Sequence, residues 1–280
     1  MVHPSAAMTQ VELHVRNSGL CWAQAHHTMK GAPRKDIQFY ATWAELIHPQ
    51  HGTVLFDTGY TSRFHDATAR FPNSIYANLT AVEIEPSEEA HAQVDPTEVK
   101  HVLLSHLHAD HVGGLRDFAH AQCWTSAACK HEFATLPRWR GFSKGLLHEL
   151  MPDQWLDTCN TFESCNAVDH PQLGQGWDVF GDESIVMFSF PGHAAGQHGA
   201  LIQSSNHGPV LLAADAIWNL KAITEGRKPH PIVRLFFDDW KAYHRTLDKL
   251  RAFHAAHPDV PVLGTHCPTT YKWVKAPRPS

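Results

Sequence analysis

Four side chains that commonly bind metal ions follow one short apolar stretch of this chain. The six residues from His106 to His111 read His-Leu-His-Ala-Asp-His and come directly after residues 101–105, which predict a short buried strand. Imidazole nitrogen and carboxylate oxygen suit zinc or another first-row divalent ion. Side chains two positions apart in an extended segment share a side, so His106 and His108 can bind one ion, whereas Asp110 and His111 can face a second. The motif therefore predicts a metal site at a strand end, against the alternative of a solvated histidine-rich loop.

Three further candidate ligands also stand at the ends of predicted strands. His193 follows residues 188–192, Asp215 follows residues 211–214, and His266 follows the last predicted strand. Taken alone, each would be typical of a surface or core histidine or of a turn-forming aspartate. Because the carboxyl ends of successive strands meet along one edge of an α/β sheet, the three together predict ligands that converge with the motif.

The composition is that of a globular chain and argues against several other classes. The 280 residues carry a formal net charge of −5, with 43% hydrophobic and 18% charged residues. These values argue against a chain that is disordered, collagen-like or a coiled coil as a whole. A weakly acidic chain is a poor binder of nucleic-acid phosphates, so we expect no nucleic-acid partner.

The sequence predicts neither a membrane anchor nor a disulfide framework. No stretch reaches 18 consecutive apolar residues, so we expect no transmembrane helix and no membrane partner. Residues 1–5 lack the basic and then apolar pattern of a signal peptide, which makes a cytoplasmic protein the expectation. Six cysteines in a chain of this length do not form a disulfide scaffold.

Predicted strands alternate with predicted helices, which favours an α/β layered fold. Residues 48–52 predict the turn of a hairpin between two strands. Apolar residues at three- and four-residue steps after Asp239 predict a helix with one inner face, and Pro258 ends that helix. The predicted strands cover residues 11–15, 37–47, 53–57, 101–105, 184–190, 200–203, 210–214 and 260–264.

Residues 118–180 form the least regular part of the sequence. They contain four tryptophans and four of the six cysteines. We interpret them as helical segments inserted over the core of a single domain that spans residues 1–280. The spacings from Cys123 to Cys129 and from Cys159 to Cys165 are wider than those of a structural zinc site, which favours buried free thiols.

Two short patterns accompany the predicted ligands. His193 lies in a Pro-Gly-His setting, and Asp57 begins an Asp-Thr-Gly sequence at the end of a predicted strand. Together with the six-residue motif and the two later ligands, they make the chain resemble the metallo-β-lactamase-fold hydrolase superfamily from Val11 to Tyr271. The resemblance implies an αββα sandwich of the metallo-β-lactamase type, with metals at one edge.

The resemblance also implies a role for each candidate residue. It implies two divalent metal ions, for which zinc is expected and iron or manganese stay open. Asp57 would hold the motif loop through hydrogen bonds, and Asp110 would be the catalytic residue that orients a hydroxide and moves its proton. The first ion would be bound by His106, His108 and His193 and the second by Asp110, His111 and His266, with Asp215 bridging both.

The chemistry implied by the resemblance is hydrolysis of an ester-like bond. Two metals that share a hydroxide can attack a carbonyl carbon without a serine or cysteine nucleophile. A carboxylate at Asp215 resembles the binuclear lactonase, thioesterase and phosphoesterase branches. We favour a lactone or carboxylic ester as substrate, with a glyoxalase-II-like thioester next. A β-lactamase-like activity and a mononuclear iron dioxygenase stay open, whereas the complete ligand set argues against a non-catalytic binding protein.

The expected substrate is a small molecule with an acyl or aromatic group. The similar lactonases usually carry a tyrosine three residues after the bridging aspartate, and here that position is Trp218, which can donate only through its ring N–H. Trp22 and His26 are further candidates for substrate contact. Exposed aromatic residues between 118 and 180 are compatible with a homodimer.

Overall fold

The structure, a computed structural model, describes residues 8–275, and thirteen strands lie among them. They are β1 (Glu12–Gln24), β2 (Asp36–His48), β3 (Gly52–Phe56), β4 (Val82–Glu83), β5 (Val99–Leu103), β6 (Gln122–Thr125), β7 (Asn160–Thr161), β8 (Asn166–His170), β9 (Gly174–Asp178), β10 (Ile185–Ser189), β11 (His198–Ser204), β12 (Gly208–Ala214) and β13 (Val262–Gly264).

Ten α-helices, most of them short, lie in the same part of the chain. They are α1 (Ala25–Thr28), α2 (Arg63–Ala67), α3 (Ser74–Leu79), α4 (Ala90–Gln93), α5 (Ala109–Val112), α6 (Ala127–Thr135), α7 (Trp155–Thr158), α8 (Lys221–Thr224), α9 (Trp240–Ala256) and α10 (Pro268–Val274). The 3₁₀ helices are Pro86–Glu88, Pro96–Glu98, Leu115–Phe118, Arg138–Lys144, His148–Leu150, Phe162–Ser164 and Pro231–Phe236.

The strands form two sheets. The seven-stranded sheet has the order β4-β1-β2-β3-β5-β6-β7, and the six-stranded sheet has the order β13-β12-β11-β10-β9-β8. The neighbours β3, β5, β6 and β7 pair in parallel, as do β12 and β13, and the other pairs are antiparallel. The predicted hairpin is confirmed, because β2 and β3 pair around residues 48–52.

An apolar core lies between the two sheets. On β3, Val54 and Phe56 belong to this core, whereas Leu55 between them belongs to the cluster on the other face. Successive side chains of a strand point to opposite faces, so a strand that is covered on both faces reads as a continuous apolar run. Ile185 and Met187 of β10 supply the facing surface from the second sheet.

Helices cover the outer face of each sheet. On the second sheet, α9 packs its apolar stripe against residues such as Phe188 and Leu211. Asp239 caps this helix, because its carboxylate accepts the backbone N–H groups of Lys241 and Ala242 at 2.8 and 2.9 Å. The predicted helix after Asp239 is therefore confirmed, and so is the αββα order of layers.

The predicted ligands follow strand ends at one edge that both sheets share. Asp57 follows β3 directly, and Asp215 follows β12 directly. The N–H of His198, the first residue of β11, donates to the carbonyl of Ser105 at 2.9 Å and connects the two sheets there. Loops from both sheets can therefore contribute side chains to one site.

Residues 118–180 differ from the sequence-based expectation. Helical segments do lie between residues 127 and 158, as expected. However, β6 and β7 belong to the first sheet and β8 and β9 to the second, so the interpretation is wrong for these four strands. The two longer strands, NAVDH in β8 and GQGWD in β9, lack the alternation that predicts a half-buried strand. The single-domain assignment stays a prediction, and its residues 1–7 and 276–280 lie outside the described residues.

Two expectations from composition can be compared with the structure. Within residues 8–275, no helix has both the length and the apolar character needed to cross a membrane. All six cysteines are free, and all except Cys165 are buried.

Gly192 brings the loop before His193 against the start of α9. Its φ is +130°, and a Cβ added there would lie 2.2 Å from the backbone nitrogen of Tyr243. We predict that Gly192→Ala lowers the free energy of unfolding by roughly 2–4 kcal/mol, because the helix must move away.

Gly208→Ala is the matched control for this variant. Gly208 has a φ of +69° but no atom within 4 Å of an added Cβ, so its substitution adds backbone strain without a collision. Urea unfolding of both variants measures the difference. Equal losses in the two variants would contradict a role for the close approach to Tyr243.

Candidate metal centre

Seven side chains with nitrogen or oxygen ligand atoms converge at the shared edge of the two sheets. They form two groups, and within each group the ligand atoms all lie within 4.8 Å of one another. Six of the seven residues are buried, and His108 is partly exposed. The first group consists of His106, His108 and His193, and the second of Asp110, His111, Asp215 and His266.

The start of α5 divides the six-residue motif between the two groups. His108 has an extended backbone, with φ −68° and ψ 155°, and the helix begins at the next residue. The chain therefore changes direction inside the motif. His106 and His108 stay with the first group, and Asp110 and His111 turn toward the second.

Asp215 lies between the two groups. Its Oδ2 is 3.2 Å from Nε2 of His193 in the first group and 2.9 Å from Nε2 of His266 in the second. Its Oδ1 is 3.4 Å from Nε2 of His111. One carboxylate thus faces both groups, as a ligand shared by two ions must.

Asp57 holds the motif loop in place. Its carboxylate accepts the backbone N–H and the hydroxyl of Ser105, both at 2.8 Å. It also lies 2.8 Å from Nδ1 of His111, which must carry the hydrogen because an ionised carboxylate can only accept. Nε2 of His111 therefore faces the second group and is the ring nitrogen available to bind a metal ion there. This is the orienting role that the resemblance implies for Asp57.

Backbone and ring contacts orient His266 in a similar way. Its Nδ1 lies 2.7 Å from the carbonyl oxygen of Tyr40 and donates a hydrogen bond to it. Its ring stacks on Phe39, with 4.1 Å between the ring centroids and 12° between the planes. Nε2 is thereby directed toward Asp215.

The 3₁₀ helix Arg138–Lys144 and the following Gly145 form a wall against His108. A Cβ on Gly145 would lie 2.6 Å from Cδ2 of His108, and the carbonyl of Gly145 accepts the N–H of Ala109 at 3.1 Å. Gly145 was not among the residues predicted from sequence. A single glycine in an irregular segment gives no indication in the sequence that it contacts a residue as distant in the chain as His108.

The lone pairs at the centre of this cluster fit divalent metal ions. Nε2 of His106, Nε2 of His111 and Oδ1 of Asp215 are buried and have no hydrogen-bond partner among the described residues. Leaving buried polar atoms unpaired costs roughly 1–3 kcal/mol each. Imidazole and carboxylate ligands in this arrangement suit a first-row divalent ion in each group.

The electrostatics differ between the two groups. Burial would lower the pKa of His111 and His266, but Asp110 and Asp215 beside them raise it, so these two histidines give up a proton when metal binds. Burial lowers the pKa of His108 to about 4 and that of His193 to about 3, so both imidazoles are neutral near pH 7. Burial alone would raise the pKa of Asp110, but the charge of His111 and its hydrogen bond lower it to about 2. The pKa of Asp215 is held well below its usual range, because His266 and His193 outweigh the opposing effect of burial.

A cleft of about 370 Å³ opens over the first group. His108 and His193 lie in its lining, and its walls come from α3 and from the 3₁₀ helices Arg138–Lys144 and Pro231–Phe236. Most of the wall is apolar, and it includes the exposed side chains Leu79, Leu235 and Phe236. This surface suits an acyl or aromatic group beside the metal ligands.

The structure separates the three residues that were predicted to contact substrate. Trp218 lies at the centre: its Nε1 donates to Oδ2 of Asp215 at 3.3 Å, and its ring is 5.6 Å from that of His193. Trp22 does not line the cleft, because the alternation of β1 turns it outward, where Nε1 donates to Glu83 at 2.7 Å. His26 lies on α1 outside the cleft lining, with its ring centroid 4.1 Å from that of His27.

The sequence matches a known protein family and known relatives. The family model described as the metallo-beta-lactamase superfamily matches residues 39–256. A relative named N-acyl homoserine lactonase AttM, from Rhizobium radiobacter, is 29% identical in an alignment that covers 96% of this chain and 98% of the relative.

Solved structures resemble the fold. An N-acyl homoserine lactone hydrolase with the product N-hexanoyl-L-homoserine at its catalytic metal centre has a TM-score of 0.71 and 14% identity, covering 95% of this chain and 96% of the other. AidC, described as a dizinc quorum-quenching lactonase, has a TM-score of 0.61 and 14% identity, covering 93% and 89%. At these identities the likeness concerns the fold alone.

The contact between Gly145 and His108 generates a prediction about metal affinity. We expect Gly145→Ala to weaken zinc binding at the first group by roughly 10–100-fold, because the added Cβ displaces the His108 ring. Binding at the second group should change much less. Calorimetric titration of zinc into metal-free protein separates the two affinities.

Gly174→Ala is the control, because Gly174 also has a positive φ, +72°, with no atom within 4 Å of an added Cβ. It should bind zinc like the wild type. If Gly145→Ala binds both ions with wild-type affinity, the wall does not position His108.

Proposed function

The chain belongs to the metallo-β-lactamase superfamily, and we propose that it is a dinuclear metal-dependent hydrolase that opens lactones or closely related carboxylic esters. The observation that carries the proposal is the position of Asp215, whose carboxylate lies between two complete ligand groups. The lactonase names of the relatives support lactones as the substrate class.

Each group would hold one divalent ion. His106, His108 and His193 would bind the first, Asp110, His111 and His266 the second, and Asp215 would be shared. We propose zinc as the native metal, which the imidazole-rich ligand set and the dizinc description of AidC support. Metal analysis of the protein as purified distinguishes zinc from iron and manganese.

When bound, two such ions supply a water-derived nucleophile at neutral pH and polarise the ester carbonyl. Asp110 would then act as the proton acceptor and donor. It is buried and ionised, and its Oδ2 lies 3.4 Å from Nε2 of His111 and 3.4 Å from Nε2 of His266. A carboxylate held there can accept the proton of the attacking water and deliver it to the leaving oxygen.

The overall reaction is balanced by water alone. The water oxygen bonds to the carbonyl carbon, the bond from that carbon to the ring oxygen breaks, and the ring oxygen leaves as a hydroxyl. The new carboxylic acid ionises near pH 7 and releases one proton to the solvent. Proton release therefore reports each turnover.

The cleft explains which substrates would fit. Its volume of about 370 Å³ admits a small molecule, and its apolar wall removes an acyl or aromatic group from water. The carbonyl of such a molecule would lie toward His108 and His193, where the lining reaches the first group.

The direct test is proton release by zinc-loaded protein with N-hexanoyl homoserine lactone, beside a matched acyl thioester. We predict rapid opening of the lactone by the wild type. Asp215→Ala should lower kcat at least about 10²-fold and lose metal, because the carboxylate shared by both groups is gone.

Asp153→Ala is the matched control, since that aspartate is 89% exposed and should leave the activity unchanged. Cleavage of the thioester alone would move the assignment to a glyoxalase-II-like enzyme. Full lactone activity in Asp215→Ala would contradict the dinuclear mechanism.

A further inference from the structure

Three segments of the chain carry an excess of positive charge. Residues 28–35, 137–145 and 226–237 contain nine Lys and Arg residues and none of the 28 Asp and Glu residues. The whole chain has a formal net charge of −5, so its positive charge is concentrated in these segments. The nine side chains, which form the basic rim, are Lys30, Arg34, Lys35, Arg138, Arg140, Lys144, Arg227, Lys228 and Arg234.

The fold places the three segments side by side around the cleft. The N–H of Lys30 donates to the carbonyl of Lys228 at 2.9 Å, and the guanidinium of Arg227 donates to the carbonyl of Lys30 at 3.5 Å. The second and third segments line the same cleft, and Nζ of Lys144 lies 3.0 Å from Oδ1 of Asp238. The basic rim is therefore one continuous surface at the mouth of the cleft.

Most of this charge is not neutralised within the protein. Arg138 pairs with Glu149 at 3.0 Å, and Lys144 pairs with Asp238. The other seven cations of the basic rim form no ion pair with a carboxylate within residues 8–275. All nine are exposed or half-buried. A positive surface of this kind attracts an anionic partner.

Large apolar side chains are exposed on the same face. Nine large apolar residues are exposed among residues 8–275, and five of them belong to the elements that form the cleft walls, with exposed fractions of 48–81%. Exposed apolar groups that cluster in this way mark an interaction surface. The five are Leu79 on α3, Trp139 on the 3₁₀ helix Arg138–Lys144, and Ile232, Leu235 and Phe236 on the 3₁₀ helix Pro231–Phe236.

Trp139 shows both features at one position. Its neighbours in the sequence are Arg138 and Arg140, and the guanidinium of Arg140 lies 5.8 Å from the centroid of the Trp139 ring. The tryptophan residue is 66% exposed. Tryptophan is favoured where water meets lipid, because its ring is apolar and carries one polar N–H. Arginine beside it can bind the phosphate of a lipid headgroup.

The combination of cations and apolar groups favours a lipid surface over other partners. A second copy of this chain, docked through the same face, would place the basic rim against its own charge. A nucleic acid would complement the charge, but it would leave Ile232 and Leu235 beside its phosphates. Anionic phospholipid offers phosphate to the cations and acyl chains to the apolar side chains.

We propose that the basic rim and the five apolar side chains dock on a membrane surface that contains anionic phospholipid, with the mouth of the cleft toward the lipid. The apolar side chains enter the boundary between headgroups and acyl chains, and the cations contact the phosphates. The expectation of no membrane partner rests on the lack of a long apolar stretch, and docking on a surface needs none. The inference goes beyond the proposed function, because docking requires no hydrolysis.

The test measures binding of the full chain to vesicles by flotation. Vesicles of phosphatidylcholine with roughly one third phosphatidylglycerol are compared with vesicles of phosphatidylcholine alone. We expect binding to the neutral vesicles to be at least about tenfold weaker than binding to the anionic ones. Added salt should weaken binding to the anionic vesicles, because salt screens the charges.

Two matched pairs of variants locate the surface. Ile232 and Ile47 are 48% and 40% exposed, but Ile47 lies on β2 beside the hairpin turn, at the sheet edge opposite to the metal ligands. We expect Ile232→Gln to weaken binding to the anionic vesicles about fivefold and Ile47→Gln to leave it unchanged. Lys30→Gln should likewise weaken binding about fivefold, whereas Lys100→Gln, at the start of β5, should not. The Tm of all four variants should match the wild type.

Several outcomes would overturn the inference. Equal binding to both kinds of vesicle would do so, and so would equal losses in Ile232→Gln and Ile47→Gln. A dimer that Ile232→Gln converts to a monomer would assign the face to a second copy instead. Tighter binding to duplex DNA than to the anionic vesicles would assign it to a nucleic acid. None of these measurements requires turnover, so the proposed function stands or fails on its own test.

Discussion

The structure depends on gathering seven ligand side chains, six of them buried, at one edge of two apolar sheets with their nitrogen and oxygen atoms directed at one another. Such an arrangement is unfavourable without cations, because unpaired buried nitrogen and oxygen atoms have lost their water. The apolar core between the sheets supplies the rigidity that keeps the ligands there. Metal binding would convert this local instability into stability of the fold, and the site and the fold would then support each other.

Backbone strain at two strand ends adds to the free-energy cost of this arrangement. Asp57 and Ala214 both have left-handed φ values, 63° and 46°, which are unfavourable for residues other than glycine. Asp57 is held in this conformation by the hydrogen bonds that orient Ser105 and His111, and Ala214 directly precedes the shared ligand Asp215. Strain at these two positions therefore coincides with the two carboxylates that organise the centre.

The sequence revealed the ligand groups because spacing and strand ends are local patterns. The strands around the motif and helix α9 could also be predicted, since the apolar residues of each recur at the spacing typical of a strand or of a helix. The strands β8 and β9 were not, because their sequences, NAVDH and GQGWD, lack a regular alternation of apolar and polar residues. A contact such as that of Gly145 with His108 joins segments that are far apart in the sequence, and only the tertiary fold brings them together. The same limit explains why Trp22, next to the inward-facing Cys21, lies outside the cleft lining.

The central claim is that one carboxylate joins two metal ions in this chain. Anomalous X-ray scattering at the zinc edge, from crystals of zinc-loaded protein, locates each ion directly. The account predicts two peaks roughly 3.5–4 Å apart, one beside His106, His108 and His193 and one beside Asp110, His111 and His266, with Asp215 between them. A single peak, or two peaks with Asp215 bound to one ion alone, would contradict it.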